Sequence, residues 1–174
     1  MADRGIYDED ILAWVDQQAA ALRDLSARRD LPNQLDLAKV IEEIEDVGRS
    51  QLNAVASYVR LILSHAVKAW ADPRSRAMRH WAAEVGNWQG ELLQHVTPSM
   101  RSRIDIGPLW KRALRQAELD LEALGKRDAR ARIGQHLSAD ACPLSLDDLC
   151  QETGRLSDFA GQIARRVGSV KGRR

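Results

Sequence analysis

Between Lys68 and Trp81 the chain reads KAWADPRSRAMRHW, where Lys68, Arg74, Arg76, Arg79 and His80 meet a single carboxylate, Asp72. Trp70 and Trp81 are interleaved with these cations. Ammonium and guanidinium groups beside aromatic rings hold phosphates, stack on bases or grip carboxylates. Lys68, Trp70, Arg74, Arg76 and Arg79 are therefore the candidate partner-binding residues. The same composition also suits a capped helix junction, because cations favour a helix C-terminus.

Upstream, Ile41 to Ser50 reads IEEIEDVGRS. Glu45 and Arg49 stand four apart with the acid first, the favourable order for an exposed helical ion pair worth about 0.2–0.5 kcal/mol. We read them as a structural pair that locks a long helix to a neighbour. Glu42 and Glu45 could instead offer two carboxylates to a metal, but helical di-metal sites pair Glu-x-x-His steps on two helices. No Glu-x-x-His occurs in this chain. His65, twenty residues beyond Glu45, lies about 30 Å away along a continuous helix. No metal site and no cofactor is expected.

The spacing Arg60-Leu-Ile-Leu-Ser-His65 resembles that of the HEPN helical ribonucleases. The resemblance implies that His65 moves a proton from a ribose 2′-hydroxyl while Arg60 holds the phosphate, roles that suit an imidazole and a guanidinium. An i,i+5 step sets the two side chains about 140° apart on a helix. A histidine beside an apolar seam also serves as a hydrogen-bonded packing residue. Metal-independent RNA cleavage by Arg60 and His65 is the alternative to a binding role.

The 174 residues, 44% hydrophobic and 29% charged, suffice for one compact domain over residues 1–174. Cys142 and Cys150 are the two cysteines. They form neither a disulfide framework nor a zinc spacing, so both are read as free thiols. The acidic N-terminus lacks the apolar core of a signal peptide, and no apolar run approaches the roughly 20 residues that span a bilayer. A cytoplasmic location without membrane contact is expected. Residues 1–50 carry 12 acidic and 6 basic side chains, residues 51–174 carry 13 and 20. Such asymmetry suits self-association or an anionic partner, and equally suits faces that meet within the fold.

These groups must be positioned by helices. Ile11, Val15 and Leu22, with Leu12 and Ala19 on the shoulder, predict a first helix from about Asp8 to Ser26, ending before Leu31-Pro32-Asn33. Asp8 or a neighbour caps it, and Trp14 packs. The seam Leu37, Ile41, Ile44, Gly48, Leu52, Val55, Val59, Ile62, Ala66 and Trp70 keeps three-or-four spacing without a slip. One long helix over Asp36–Trp70 follows, broken at Asp72-Pro73. Gly48 on that seam costs about 1 kcal/mol relative to alanine, which marks a close helix crossing.

Met78, Trp81, Val85, Trp88, Leu92 and Val96 predict a helix over 75–96 that stops at Thr97-Pro98. Trp110, Ala113, Ala117, Leu121 and Leu124 predict another over 109–125, with Gly125 as its C-cap. Trp81, Trp88 and Trp110 are assigned to the core, leaving Trp70 freer. Leu146 to Cys150 forms one or two helical turns, and Leu156, Phe159, Ile163 and Val167 a last amphipathic segment before the basic tail Lys171, Arg173 and Arg174. No segment alternates at period two. The fold class is all-α, four to six helices around one long central helix.

Four groups of residues then resemble a known family. Tyr7-Asp8-x-Asp10-x-x-x-Trp14, Ile41-Glu42-Glu43-Ile44-Glu45-x-x-Gly48-Arg49-Ser50, Leu63-x-His65-x-x-Lys68 with Trp70 and Pro73, and Cys142-Pro143-x-Ser145-Leu146 resemble domain-of-unknown-function family 29. The likeness covers about residues 6–150 and implies an all-helical, soluble bacterial protein without assigning an activity. Ala69 separates Lys68 from Trp70 where the family tends to place them together, and the basic segment from about residue 154 to 174 extends the pattern. The leading expectation is a non-enzymatic binding or adaptor module, self-associating, whose Lys68, Trp70, Arg74, Arg76 and Arg79 recognise an anionic or acidic partner. A protein is favoured over nucleic acid.

Overall fold

A computed structural model of the chain describes residues 5–28, 32 and 34–171, which form nine helices and no strand. Six of them have ten residues or more, the upper end of the expected number. The other three are single turns or little longer. Leu31, Asn33, Arg173 and Arg174 lie outside the described residues. The helices gather into two compact units, Met1–Val55 with His95–Ile104 and Ala56–Gln94 with Asp105–Arg174.

In the first unit, α1 (Ile6–Glu9) and α2 (Ile11–Ser26) replace the single helix read from Asp8 onward. Asp10 causes the break. Its backbone leaves the helical region at φ −149°, and its carboxylate caps α2 by accepting from Ala13 N at 3.1 Å. The same carboxylate accepts from Thr97 Oγ1 at 2.8 Å and from Ser99 N at 2.9 Å. Thr97-Pro98 follows the end of α4 at His95, the expected stop, and is also a start: Pro98 opens α5 (Pro98–Arg103) with Thr97 as N-cap. A proline at the first helical position forfeits no hydrogen bond. Burial pushes the Asp10 pKa up, yet the hydrogen bonds from Ser99, Ala13 and Thr97 outweigh it and hold the carboxyl below its ordinary value.

The buried face of α2 is Leu12, Val15 and Ala19, so the expected shoulder is the true seam and Ile11 and Leu22 flank it. These residues meet α3 (Leu37–Ala71) where Gly48 leaves room. A methyl group there would stand 3.0 Å from Val15 Cγ1 and 3.2 Å from Leu12 Cδ1. Gly48 is thus the predicted close crossing. Arg23 of α2 pairs with Glu45 of α3, and Tyr7 meets Trp14 edge-on with ring centroids 4.9 Å apart.

The second unit holds the rest of α3, α4 (Met78–His95, to Gln94), α6 (Ile106–Ala123), α7 (Arg127–His136), α8 (Leu146–Leu149) and α9 (Leu156–Lys171). From Ile62 to Ala71, α3 is buried on every side, the condition of a helix enclosed by others. Val59, Ile62 and Ala66 of α3 share the core with Trp110, Leu121 and Phe159. Asp105 caps α6 through Gly107 N at 2.9 Å. Gly125 leaves it with φ 70°, the left-handed turn expected of that C-cap. Ser145 and Asp148 close a reciprocal capping box on α8. Helix α7 was not foreseen, because Ala129 and Ile133 are its only buried residues. None of the described helices is long and apolar enough to cross a membrane.

Asp10→Ala removes the side-chain caps of two chain segments at once. At about 1 kcal/mol per cap, the variant should lose about 2 kcal/mol in urea denaturation. A loss below about 0.5 kcal/mol, the range of a neutral surface substitution, would show that these bonds do not hold the unit together.

Candidate functional site

Two polar residues in the enclosed part of α3 face a chain of titratable groups. Lys68, only 4% exposed, donates from Nζ to Asp120 Oδ2 on α6 at 2.9 Å and to His65 Nε2 at 3.1 Å. The face of Trp81 on α4 lies 5.3 Å from the same ammonium. The ammonium thus makes two hydrogen bonds and lies over an aromatic face. Asp120 also accepts from Gln116 Nε2 at 2.7 Å. Burial raises the Asp120 pKa, but the hydrogen bonds from Lys68 and Gln116 and the lysine's charge lower it further, leaving it below its ordinary value.

His65 sits between opposite demands. Its Nδ1 lies 3.0 Å from the Leu61 carbonyl, which can only accept, so Nδ1 carries the proton. Its Nε2 receives the Lys68 hydrogen bond, while Glu84 Oε2 stands 3.0 Å from that same nitrogen. Lysine favours a bare Nε2; glutamate favours a protonated one. Burial and then the Lys68 charge depress the imidazole pKa more than the Leu61 carbonyl and Glu84 raise it, so the ring is neutral at neutral pH. Trp88 packs edge-on against it at 4.7 Å between centroids. Glu84 leads outward to His80 Nε2 at 3.3 Å. With the ammonium bonded and the ring packed against Trp88, this network fastens α3 to α4 and α6. It offers no free nucleophile.

One turn beyond Lys68, a cavity of about 590 Å³ opens between the end of α3 and the start of α7, lined by Asp72, Lys126, Arg127, Asp128 and Arg132 among others. Lys126 Nζ lies 3.0 Å from Asp72 Oδ2. Trp70, buried beneath, carries the Arg132 guanidinium 4.6 Å from its ring centroid and meets His136 edge-on at 6.3 Å.

The expected binding residues thus separate. Lys68 and Trp70 are buried at 4% exposure each, whereas Arg74, Arg76 and Arg79 are exposed. Trp81 and Trp110 are core residues, but Trp88 is only half-buried and Trp70 is not the freer tryptophan. Arg60 is not among the partners of His65, and nothing in this geometry supports the ribonuclease reading. Glu45 lies 3.9 Å from Arg49 but is engaged by Arg23, while Arg49 turns to Asp46. Glu42 pairs with Lys39. Among the described residues no His, Cys, Asp and Glu side chains are grouped to hold a metal ion. Cys142 and Cys150 form no disulfide among the described residues, and burial pushes the Cys142 thiol up to about 11. Glu84 and Asp120 escaped the sequence reading. Their signal was indirect: an apolar stretch that carries His65 and Lys68 demands partners from other helices.

The depressed His65 pKa has a definite sign. As pH falls through 6.5, the ordinary value, the unfolded chain takes up a proton that the folded ring resists, so stability is lost on acidification. Between pH 7 and pH 5 the wild type should therefore lose more stability than His65→Gln, measured by urea denaturation at each pH. Parallel curves would contradict this. Removing one partner of a buried ion pair costs about 3–5 kcal/mol. Asp120 retains 31% side-chain exposure, so Lys68→Met should cost about 3 kcal/mol, the low end of that range. Lys68→Met with Asp120→Leu should recover at least half of the loss. A single variant as stable as the wild type would overturn the assignment.

Residues 6–153 match the family described as Domain of unknown function DUF29. An alpha-helical protein of unknown function from Rhodospirillum rubrum, solved by crystallography, is 38% identical with a TM-score of 0.79, over 94% of this chain and 98% of its own. No curated protein matches the chain. The residues of the four sequence motifs are those that form the Asp10 caps, the Gly48 crossing, the His65–Lys68 network and the α8 capping box, and the chain belongs to the DUF29 family.

Proposed function

We propose that the protein is a non-enzymatic binding module that grips an acidic segment of a partner protein at the basic cavity of the second unit. The observation that carries this reading is a set of exposed arginines with no carboxylate partner among the described residues. Arg127 and Arg132 line the cavity, and Arg74, Arg76 and Arg79 follow its Asp72 along the chain. Lys126 and Arg130, by contrast, are satisfied by Asp72 and Glu122. An unpaired guanidinium presents a planar fork suited to carboxylate or phosphate. Trp70 holds Arg132 in place from below, which reduces the side-chain entropy lost on binding. Lys68 and Trp70 thus serve the surface as its support.

Asp72 and Asp128 in the cavity wall favour discrete carboxylates over a continuous phosphate backbone. A protein partner therefore ranks above nucleic acid. Affinity capture from the host should recover a partner with wild-type protein and lose it with Arg74→Ala/Arg76→Ala/Arg127→Ala/Arg132→Ala. A quadruple variant that melts like the wild type and retains every partner would refute the proposal.

A further inference from the structure

The first unit carries an apolar surface that is independent of the basic cavity. At about 100° per residue, Leu37, Gly48 and Val55 of α3 point within about 20° of one direction, while Val40 and Val47 lie about 60° and 80° round from it and Ile44, about 20° round, falls between. The first set is buried, Gly48 against α2. Val40 at 37% and Val47 at 46% exposure are left open, joined by Leu35 at 45%, and Ile44 is half-buried. Together with Ile44 these side chains line a shallow groove of about 600 Å³ whose rim includes Asp36 and Glu43. The apolar arc of α3 is wider than one neighbouring helix requires.

We infer that this groove docks an amphipathic helix of another protein, one whose apolar stripe is flanked by lysine or arginine. The spacing i, i+4, i+7 of Val40, Ile44 and Val47 makes an apolar stripe along α3 against which the stripe of a second helix can pack. The charge selects the sign of the partner. Glu43 has no cation within ion-pair distance among the described residues, and the nearby Lys39 is already held by Glu42. Residues 1–50 carry 12 acidic side chains against 6 basic ones. A second copy applied face to face would set Asp36 and Glu43 against their own kind, a repulsion that a basic helix converts into attraction.

The probe is a three-heptad helical peptide with leucine at the a and d positions and lysine beside them, labelled for fluorescence anisotropy and titrated with the full chain. Its glutamate-flanked counterpart and a scrambled lysine peptide of equal charge are the controls. Both controls should bind at least about tenfold more weakly, and Val40→Asp/Val47→Asp should weaken the lysine peptide by about tenfold or more. These valines are exposed, so the variant keeps the wild-type helicity, checked by circular dichroism. Glu43→Gln should weaken the same peptide to a smaller degree. The inference is overturned if the lysine peptide does not bind, if the scrambled peptide binds equally, or if the double variant binds unchanged. It is also overturned if sedimentation shows a wild-type dimer that Val47→Asp dissociates, since the groove would then belong to a second copy.

Discussion

Ten consecutive residues of α3, from Ile62 to Ala71, are shut away from solvent, and Lys68 is among them. Removing an ammonium ion from water costs several kcal/mol even after relaxation, so the surrounding structure must return that energy through geometry. Asp120 from α6, His65 from the preceding turn and the face of Trp81 from α4 do so together. Apolar packing alone tolerates small shifts of one helix along another. A lysine with two directional acceptors tolerates them less, which ties α6 to α3 at Asp120.

The same economy separates two kinds of cation. Lys68 is paired and serves the interior, whereas Arg74, Arg76, Arg79 and Arg127 reach solvent without acidic partners among the described residues. Trp70 connects the two layers, buried within α3 yet supporting Arg132 at the cavity wall. In the proposed binding role, recognition at this surface would depend on how firmly the end of α3 is held.

Much of the fold was legible because apolar spacing records which faces are buried. The α3 seam announced the long helix, Gly48 its close crossing, and Gly125 the turn after α6. Other elements left little trace. Asp10 lies within a continuous helical pattern, and only its bonds to Thr97 and Ser99, far along the chain, reveal the break. Pro98 reads as a terminator until Thr97 is seen to cap the helix it begins. Helix α7 buries two side chains, too few to make a period. The site was harder still. Lys68 and Arg74 look alike in a run of basic residues, and only the α4 and α6 partners show that one turns inward.

The central claim is that a neutral His65 accepts a hydrogen bond from a charged, buried Lys68. Nitrogen-detected NMR of the histidine ring and the lysine side chain at pH 7 tests it most directly. The account predicts a His65 ring protonated at Nδ1 alone, together with a slowly exchanging Lys68 ammonium coupled to Nε2. A ring protonated at Nε2, or a Lys68 signal exchanging as fast as a surface lysine, would contradict it.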